Sequence, residues 1–486
     1  MFQAVSNKIK SVFGYNMSGY DAVNPSTKRR SSGSNIQSSD QMLSDNHRRQ
    51  LTESGRDLWR NFPVAAWAIR KHVDYVSDFS FQAITGDEAL NISIEKLMRW
   101  WSLPGNCDAA GRHPFSRLIR IAEMRRTIDG DVFLMKLANG RLQAIEGDRI
   151  RNEGNGKEVL PNGQLRVHGI DLGPGGYNQR YHLYNKSAYG TYQFDRTVPS
   201  SNMLMHAYYD AFDQVRGVSP LSSAIASYHD VLEMTEYARL KAKVSQYFAL
   251  AISRERPDFG NECDTDGYDL RDFGKGALML DLDPGDKADF LESKNPSTEF
   301  QDFTRLSLQI ALKALDIPWS LMDESATNYS SSRIATMQYI KSCEAKRRDT
   351  QLLLDKITYW QIQLWILNGL LTLPAGMTVR DIEWNWIPAG TPWFDPAKEV
   401  KADIELINAG LKTRSEVRLE KYGDDWRDVA MKLKEEEDLM EALGLDAGKP
   451  APPPAFMDPE SEEAAEEGDE ENTDDSENED EVNDET

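Results

Sequence analysis

Hydrophobic and polar positions alternate differently in the two halves of the chain. A helix is predicted near "NHRRQLTESGRDLWRN", and Pro63 opens a second in "PVAAWAIRKHVDYVSDF", where its fixed φ suits a first helical position. Across 130 to 200, stretches such as "GDVFLMKLANGRLQAI" and "YHLYNKSAYGTYQF" alternate with period two between Gly and Asn, the signature of strands and hairpins. The glycines of "DLGPGGYNQR" lie between strand candidates and open no helix, so they predict a loop and not a phosphate cradle.

From Ser219 the pattern turns helical. "SPLSSAIASYHDVLEMTEYARLKAKVSQYFALAISRER" predicts one long helix with Ser219 as N-cap and Pro220 behind it, stopping before Pro257. A polar, turn-rich stretch follows, with short strand candidates "ALMLDL" and "KADFLE" joined by Asp283-Pro284-Gly285-Asp286. A further helix is predicted over Ser297 to Ile317 and another over Ser332 to Leu371, the latter roughly 55 to 60 Å long unless its charged middle "EAKRRD" bends it. Near the end, Asp395-Pro396 starts a helix, Gly410 stops it, Thr413 and Glu416 form a capping box, and Gly423-Asp424 starts a third. The fold class expected is α+β, predominantly helical.

Charge redraws the boundaries of the folded part. Residues 457 to 486 hold seventeen Asp and Glu and no Lys or Arg, so the other 456 residues carry only −6 of the net −23. A segment of that composition buries too little apolar surface to offset its ordering entropy, and disorder is expected there. The Ser- and Asn-rich first 45 residues are expected to form a mobile arm. No stretch reaches eighteen apolar residues, which predicts no membrane span, and the N-terminus lacks the apolar run of a signal peptide, which predicts assembly in the cytoplasm.

Candidate chemistry narrows the function by exclusion. Each Gly-Lys pair (Gly156, Gly274, Gly448) lacks the Ser or Thr of a nucleotide-binding phosphate loop. The seven histidines form no pair at ligand spacing, and His206 and His229 are expected to be structural. Cys107, Cys263 and Cys343 have no paired spacing and are expected to be reduced thiols. The C-terminal helices mix both charge signs and offer no basic face for DNA reading. No catalytic residue, metal or cofactor is expected.

Four separated segments then agree in order with one family. "RDLWRNFPVAAWAIRKHVDYV", "VRGVSPLSSAI", "ATNYSSSRIA" with the helix it opens, and "ELINAGLKTRSEVRLEKYGDDWRDV" resemble the lambda-like portal proteins of tailed bacteriophages across most of residues 50 to 445. The resemblance implies a portal fold assembled as a ring, with a dodecamer expected at one capsid vertex of the virion. Double-stranded DNA is pumped through it by the terminase motor, without sequence specificity, and later ejected. Its implied partners are the terminase large subunit, head-tail adaptors, and the major capsid and scaffolding proteins. On that fold an arm (1–45) precedes the wing (46–218), a stem helix (219–254), the clip (255–296), a second stem helix (297–317), the tunnel loop (318–331), a long wing helix (332–371), a crown-like helical region (372–446) and a Pro-rich acidic tail (447–486). The competing readings are a packaging enzyme and a non-conducting head-tail adaptor.

Residue expectations follow from placing the sequence on that fold. In "DESATNYSSSRIA", Ser325, Ala326, Thr327, Asn328, Tyr329, Ser330, Ser331 and Ser332 are assigned to the tunnel loop, where small uncharged side chains let a ring of loops approach a duplex. Tyr329 either meets DNA or packs between subunits; Ser331 or Ser332 also suits a helix cap. Arg333 is assigned to an inter-subunit ion pair, with a phosphate contact as the alternative. In the second stem helix Gln301 or Asp302, Arg305, Gln309 and Lys313 recur at three- and four-residue steps and are assigned to the channel, with a plain solvent-exposed stripe as the alternative, while Phe300, Phe303, Leu306, Ile310 and Leu315 fall largely elsewhere. Asp264, Asp266, Tyr268, Asp269 and Phe273 are assigned to a clip surface that docks the motor and adaptors.

Overall fold

A computed structural model describes residues 38–153, 156–161, 163–247, 250–254, 271–272, 278–279, 286–290, 298–323, 329–390 and 396–444. The chain forms two compact units that divide between Asp395 and Pro396.

The first unit opens with helices α1 (Ser39–Met42), α2 (Asp45–Asn61) and α3 (Pro63–Val76). Ser44 starts α2 by accepting a hydrogen bond from the His47 amide at 3.2 Å, and Pro63 stands at the first position of α3. Strand β1 (Phe79–Ile84), helix α4 (Glu88–Trp101) and helix α5 (Phe115–Asp129) follow. Then β2 (Asp131–Lys136), β3 (Leu142–Glu146) and β9 (Met203–Ala207) make an antiparallel sheet in the order β3-β2-β9. Between β3 and β9 runs a five-stranded antiparallel meander of β4 (Lys157–Val159), β5 (Leu165–Val167), β6 (Ile170–Leu172), β7 (Asn178–Lys186) and β8 (Tyr192–Pro199). Alternation within β7 places Tyr181 and Leu183 in a small core with Phe133, Ile150, Ile170 and Val198.

A helical pair leaves this body. A 3-10 turn at Pro220–Ser223 leads into α6 (Ile225–Tyr247), and α7 (Thr298–Leu312) returns along it. Between them β10 (Leu250–Arg254) pairs antiparallel with β13 (Asp286–Phe290), and β11 (Arg271–Asp272) with β12 (Leu278–Met279). The expected single helix of 219 to 254 is therefore three elements. Its last five residues were expected to be helical and are a strand, because backbone pairing with Asp286–Phe290 overrides a local helix preference that is weak once the apolar spacing lapses.

Helix α8 (Tyr329–Leu367) has 39 residues and extends about 58 Å. It begins three residues before the expected Ser332 and ends four before Leu371. Its charged middle does not interrupt it, because those side chains have partners. Lys346 Nζ donates to Asp316 Oδ2 at 3.0 Å, Arg347 Nε to the Tyr75 carbonyl at 2.6 Å, and Asp349 accepts from Arg126 at 2.6 Å. The two ends of α8 serve different cores. Tyr339 and Cys343 pack with Leu58, Ile69, Tyr228, Leu312 and Ile317, whereas Leu354, Ile357, Ile362 and Trp365 pack with Ile94, Trp101, Phe115 and Trp386.

The region after 371, expected to be helical, first contributes strand β14 (Glu383–Pro388) to this unit. It pairs with β1 in antiparallel register from Phe79↔Pro388 to Ile84↔Glu383. The second unit is helical: α9 (Pro396–Asn408), α10 (Arg414–Tyr422) and α11 (Trp426–Ala442). The Thr413–Glu416 capping box is present, and Gly410 and Gly423, both at φ 68°, take the left-handed positions after α9 and α10.

Candidate functional site

The base of the helical pair is fastened by a buried ionic joint. Arg216, fully buried, donates from Nε to Asp131 Oδ2 at 2.6 Å and from Nη2 to Oδ1 at 2.7 Å. Its remaining donors reach the carbonyls of Ile150 and His168 through Nη1 and of Gly147 through Nη2, each at 2.8 Å. Asp131 also accepts from the Gly217 amide at 3.1 Å and stands 3.5 Å from Arg48 Nη2 on α2. Burial pushes the Asp131 carboxyl up, but the charge and hydrogen bonds of Arg216 outweigh it, and the group stays below its ordinary range. Gly217 and Gly130 pack backbone to backbone, so that a Cβ on Gly217 would lie 2.1 Å from the Gly130 carbonyl oxygen. Ser219 completes the joint, donating to the Thr127 carbonyl at 2.6 Å while accepting from the Leu221 amide at 3.1 Å. The segment "RGVS" thus ties the start of the pair to the end of α5 and the first residue of β2.

A second buried network holds α8 against the same sheet. Glu123 on α5 accepts from Arg126 Nη1 at 3.1 Å, His206 Nε2 at 2.8 Å, the Tyr208 hydroxyl at 3.1 Å and Thr350 Oγ1 at 3.4 Å. Arg126 stacks 3.8 Å from the Tyr208 ring centroid. Burial raises the Glu123 carboxyl, but Arg126 and His206 hold it well below the usual carboxylate range. His72 Nε2 donates to the Tyr208 oxygen at 3.1 Å; burial, reinforced by Lys346, pulls its pKa down to about 3. His206 is therefore structural, as the sequence predicts.

The expected channel face of α7 is partly exposed. Gln301 and Lys313 are open to solvent and Gln309 is half-buried, while Arg305 is also half-buried with its guanidinium 5.3 Å from the Trp319 ring centroid. Lys313 lies in the 3-10 turn that follows the helix. Of the apolar residues, Leu315 is buried, but Phe303 (53%), Leu306 (52%) and Ile310 (58%) form an exposed stripe at steps of three and four. On α6, Tyr237 and Leu240 are exposed as well.

The remaining expectations are only partly within reach. Ser325, Ala326, Thr327 and Asn328 lie outside the described residues, as do Asp264, Asp266, Tyr268, Asp269 and Phe273. Tyr329, Ser330, Ser331 and Ser332, expected in the loop, belong to the first turn of α8, which shortens the connection. Arg333 is half-buried on that helix. Sequence reasoning missed Arg216 and Asp131. The available signal was an aspartate directly after a glycine and before the apolar run "VFLM", together with an arginine just upstream of a helix cap. Among the described residues no cluster of His, Cys, Asp or Glu could hold a metal ion, and no helix is long and apolar enough to cross a membrane.

Comparison with known proteins agrees with the sequence resemblance. The family described as "Phage portal protein, lambda family" matches residues 27–347. A probable portal protein of Halomonas phage phiHAP-1 is 23% identical over 395 residues, covering 74% of this chain and 72% of that relative. Among solved structures, a chain from the neck of an empty GTA particle shares 14% identity with a TM-score of 0.47, covering 75% of this chain and 92% of its own length. One from the virion of a native gene transfer agent particle shares 14% with a TM-score of 0.44, over 76% and 92%. With its family match extending over 27–347, this chain belongs to the lambda family of phage portal proteins.

Proposed function

We propose that the protein assembles into a ring-shaped channel at one capsid vertex of a virion, twelve copies as the family resemblance implies. Double-stranded DNA is driven through it by a terminase motor during packaging and leaves by it at ejection. The observation that carries this reading is the uncovered stripe of Phe303, Leu306 and Ile310 on α7, with Tyr237 and Leu240 on α6. Large apolar side chains at helical spacing on both members of one helical pair mark a surface that is completed by association. Neighbouring copies cover the stripe, and Gln301, Gln309 and Lys313 face the conduit. Between Phe300 and Leu315 the only cations are Arg305, held against Trp319, and Lys313. Sparse positive charge suits a passage for DNA, because each phosphate neutralised adds salt-dependent affinity and hence friction. The tunnel loop (318–331) and the clip (255–296) supply the constriction and the docking surface for motor and adaptors.

Negative-stain imaging of the purified protein, with light scattering for mass, tests the proposal. Annular particles with a central hole are expected; a homogeneous monomer or dimer at micromolar concentration in several salts overturns it.

A further inference from the structure

A cleft of about 440 Å³, the size of a small-ligand site, opens between α2 and the turn that joins β7 to β8. Six cationic side chains line it against three carboxylates, a local excess in a chain whose folded part is close to neutral. Arg48, Arg56 and Arg60 stand with Thr52 at four-residue steps, so one stripe of α2 presents three of the cations. Arg49 is the fourth on this helix, Arg151 comes from the link between β3 and β4, and Lys186 ends β7.

The carboxylates of the cleft do not neutralise this set. Asp45 holds Arg49 at 2.9 Å, and Asp148 accepts from Arg56 at 2.9 Å and from the Tyr192 hydroxyl at 2.5 Å. Arg151 and Lys186 instead stand 4.5 and 5.8 Å from the centroid of the Tyr192 ring, and no carboxylate pairs with either, or with Arg60, among the described residues. Only Glu53, exposed on α2, is left to face these three. Arg48 points the same way: it is 8% exposed, and its Nε has no hydrogen-bond partner among the described residues. Burial, and then the charge of Arg216, lower its pKa to about 10. Gathered cations of this kind cost free energy until an anion approaches them.

We propose that this cleft binds a ligand carrying two or more linked phosphate groups, with Arg151 and Lys186 as its direct contacts and Arg48 and Arg56 supplying the positive field behind them. Arginine pairs its donors with phosphate oxygens, and a compact cleft suits a small, densely charged group. An acidic peptide spreads its charge over roughly 3.3 Å per residue and would meet only part of the set. The bound phosphates tie the β7–β8 turn to α2. The site lies within one subunit, so this inference does not depend on ring formation.

Calorimetric titration of the intact protein with tripolyphosphate at physiological salt tests it. Saturable binding is expected in the parent, weakened roughly tenfold or more by Arg151→Ala/Lys186→Ala. Lys71→Ala/Lys96→Ala, which removes two exposed cations outside the cleft, should bind as the parent does. Because Arg151 also stacks on Tyr192, Lys186→Glu alone repeats the test at an exposed side chain. On the parent itself, tripolyphosphate should slow acetylation of Lys186 and leave that of Lys96 unchanged. No saturable binding by the parent, equal weakening by both double variants, or tighter binding of a hexaglutamate peptide overturns the proposal. Competition with a short DNA duplex separates the sources of the phosphates: displacement of tripolyphosphate assigns them to a nucleic-acid backbone, and its absence to a free polyphosphate or nucleotide.

Discussion

Asp131 is buried and takes its hydrogen bonds from Arg216 and Gly217 within one chain, whereas a few turns along the same helical pair Phe303, Leu306 and Ile310 stand exposed. The two regions differ in what completes them. At the base, charges removed from water are matched by opposite charges and carbonyls of the same subunit, so the joint is finished when the chain folds. Along α7 the unmatched groups are apolar, and folding of one chain leaves them in water. A rigid base that needs no neighbour, carrying a surface that does, is the arrangement expected of a subunit that folds first and assembles afterwards.

The contrast can be broken most severely at Arg216. Arg216→Met leaves Asp131 buried without its bidentate partner and strips a donor from the carbonyls of Ile150 and His168, while Gly147 keeps Arg48 at 3.1 Å; a loss of about 3 to 5 kcal/mol is expected in denaturant unfolding of the first unit. Arg216→Lys should rescue little, because one ammonium cannot reproduce the fork. Unchanged stability in the methionine variant would show that the joint is not what holds the base.

Acid acts on the same region with a smaller effect. Burial pulls His72 down to about 3 and, helped by Arg216 and Arg48, His168 down to about 4; His206 is also lowered. These imidazoles are neutral in the folded protein and take up protons near pH 6.5 only when it unfolds. Their contribution is therefore complete above about pH 6.5 and is lost as pH falls towards the folded values, by about 2 kcal/mol at pH 5 for each of His72 and His168. Glu123 and Asp131, lowered as well, extend the loss below pH 4.5. Thermal unfolding should shift down between pH 7 and 5, and His72→Phe should flatten that dependence. A pH-independent transition across this range would refute the account.

The smallest effect on the single chain is expected on α7. Phe303→Asp/Ile310→Asp changes exposed positions, so its unfolding free energy should stay within about 0.5 kcal/mol of the parent. Its mass by light scattering should nevertheless fall to that of a monomer. Intact rings in this variant would separate the stripe from assembly.

Much of the candidate surface was legible in the sequence and much was not. Gln301 and Lys313 were picked out by helical spacing alone and are exposed, since a face of three- and four-residue steps survives whatever the helix packs on. The same spacing could not say that Phe303, Leu306 and Ile310 would be uncovered while Leu308, Leu312 and Leu315 were buried, because both sets are apolar and what separates them is which face packs on the rest of the fold. The strand at Leu250–Arg254 was missed for a related reason: its partner lies 32 or more residues away, beyond any local pattern.

By itself the sequence determined the elements whose cause is local: α3 at Pro63, the Thr413–Glu416 capping box, the glycine stop of α9 at Gly410, and the long α8. It also carried the family, through four short segments in a set order. Only the tertiary structure decided that β14 closes on β1 across some 300 residues, that Arg216 meets Asp131, and that Glu123 gathers Arg126, His206 and Thr350 from three elements. Caps and periodicities are set by neighbours within a few residues. A buried charge, by contrast, is tolerated only where distant parts of the chain bring its partners together, and that depends on the completed fold.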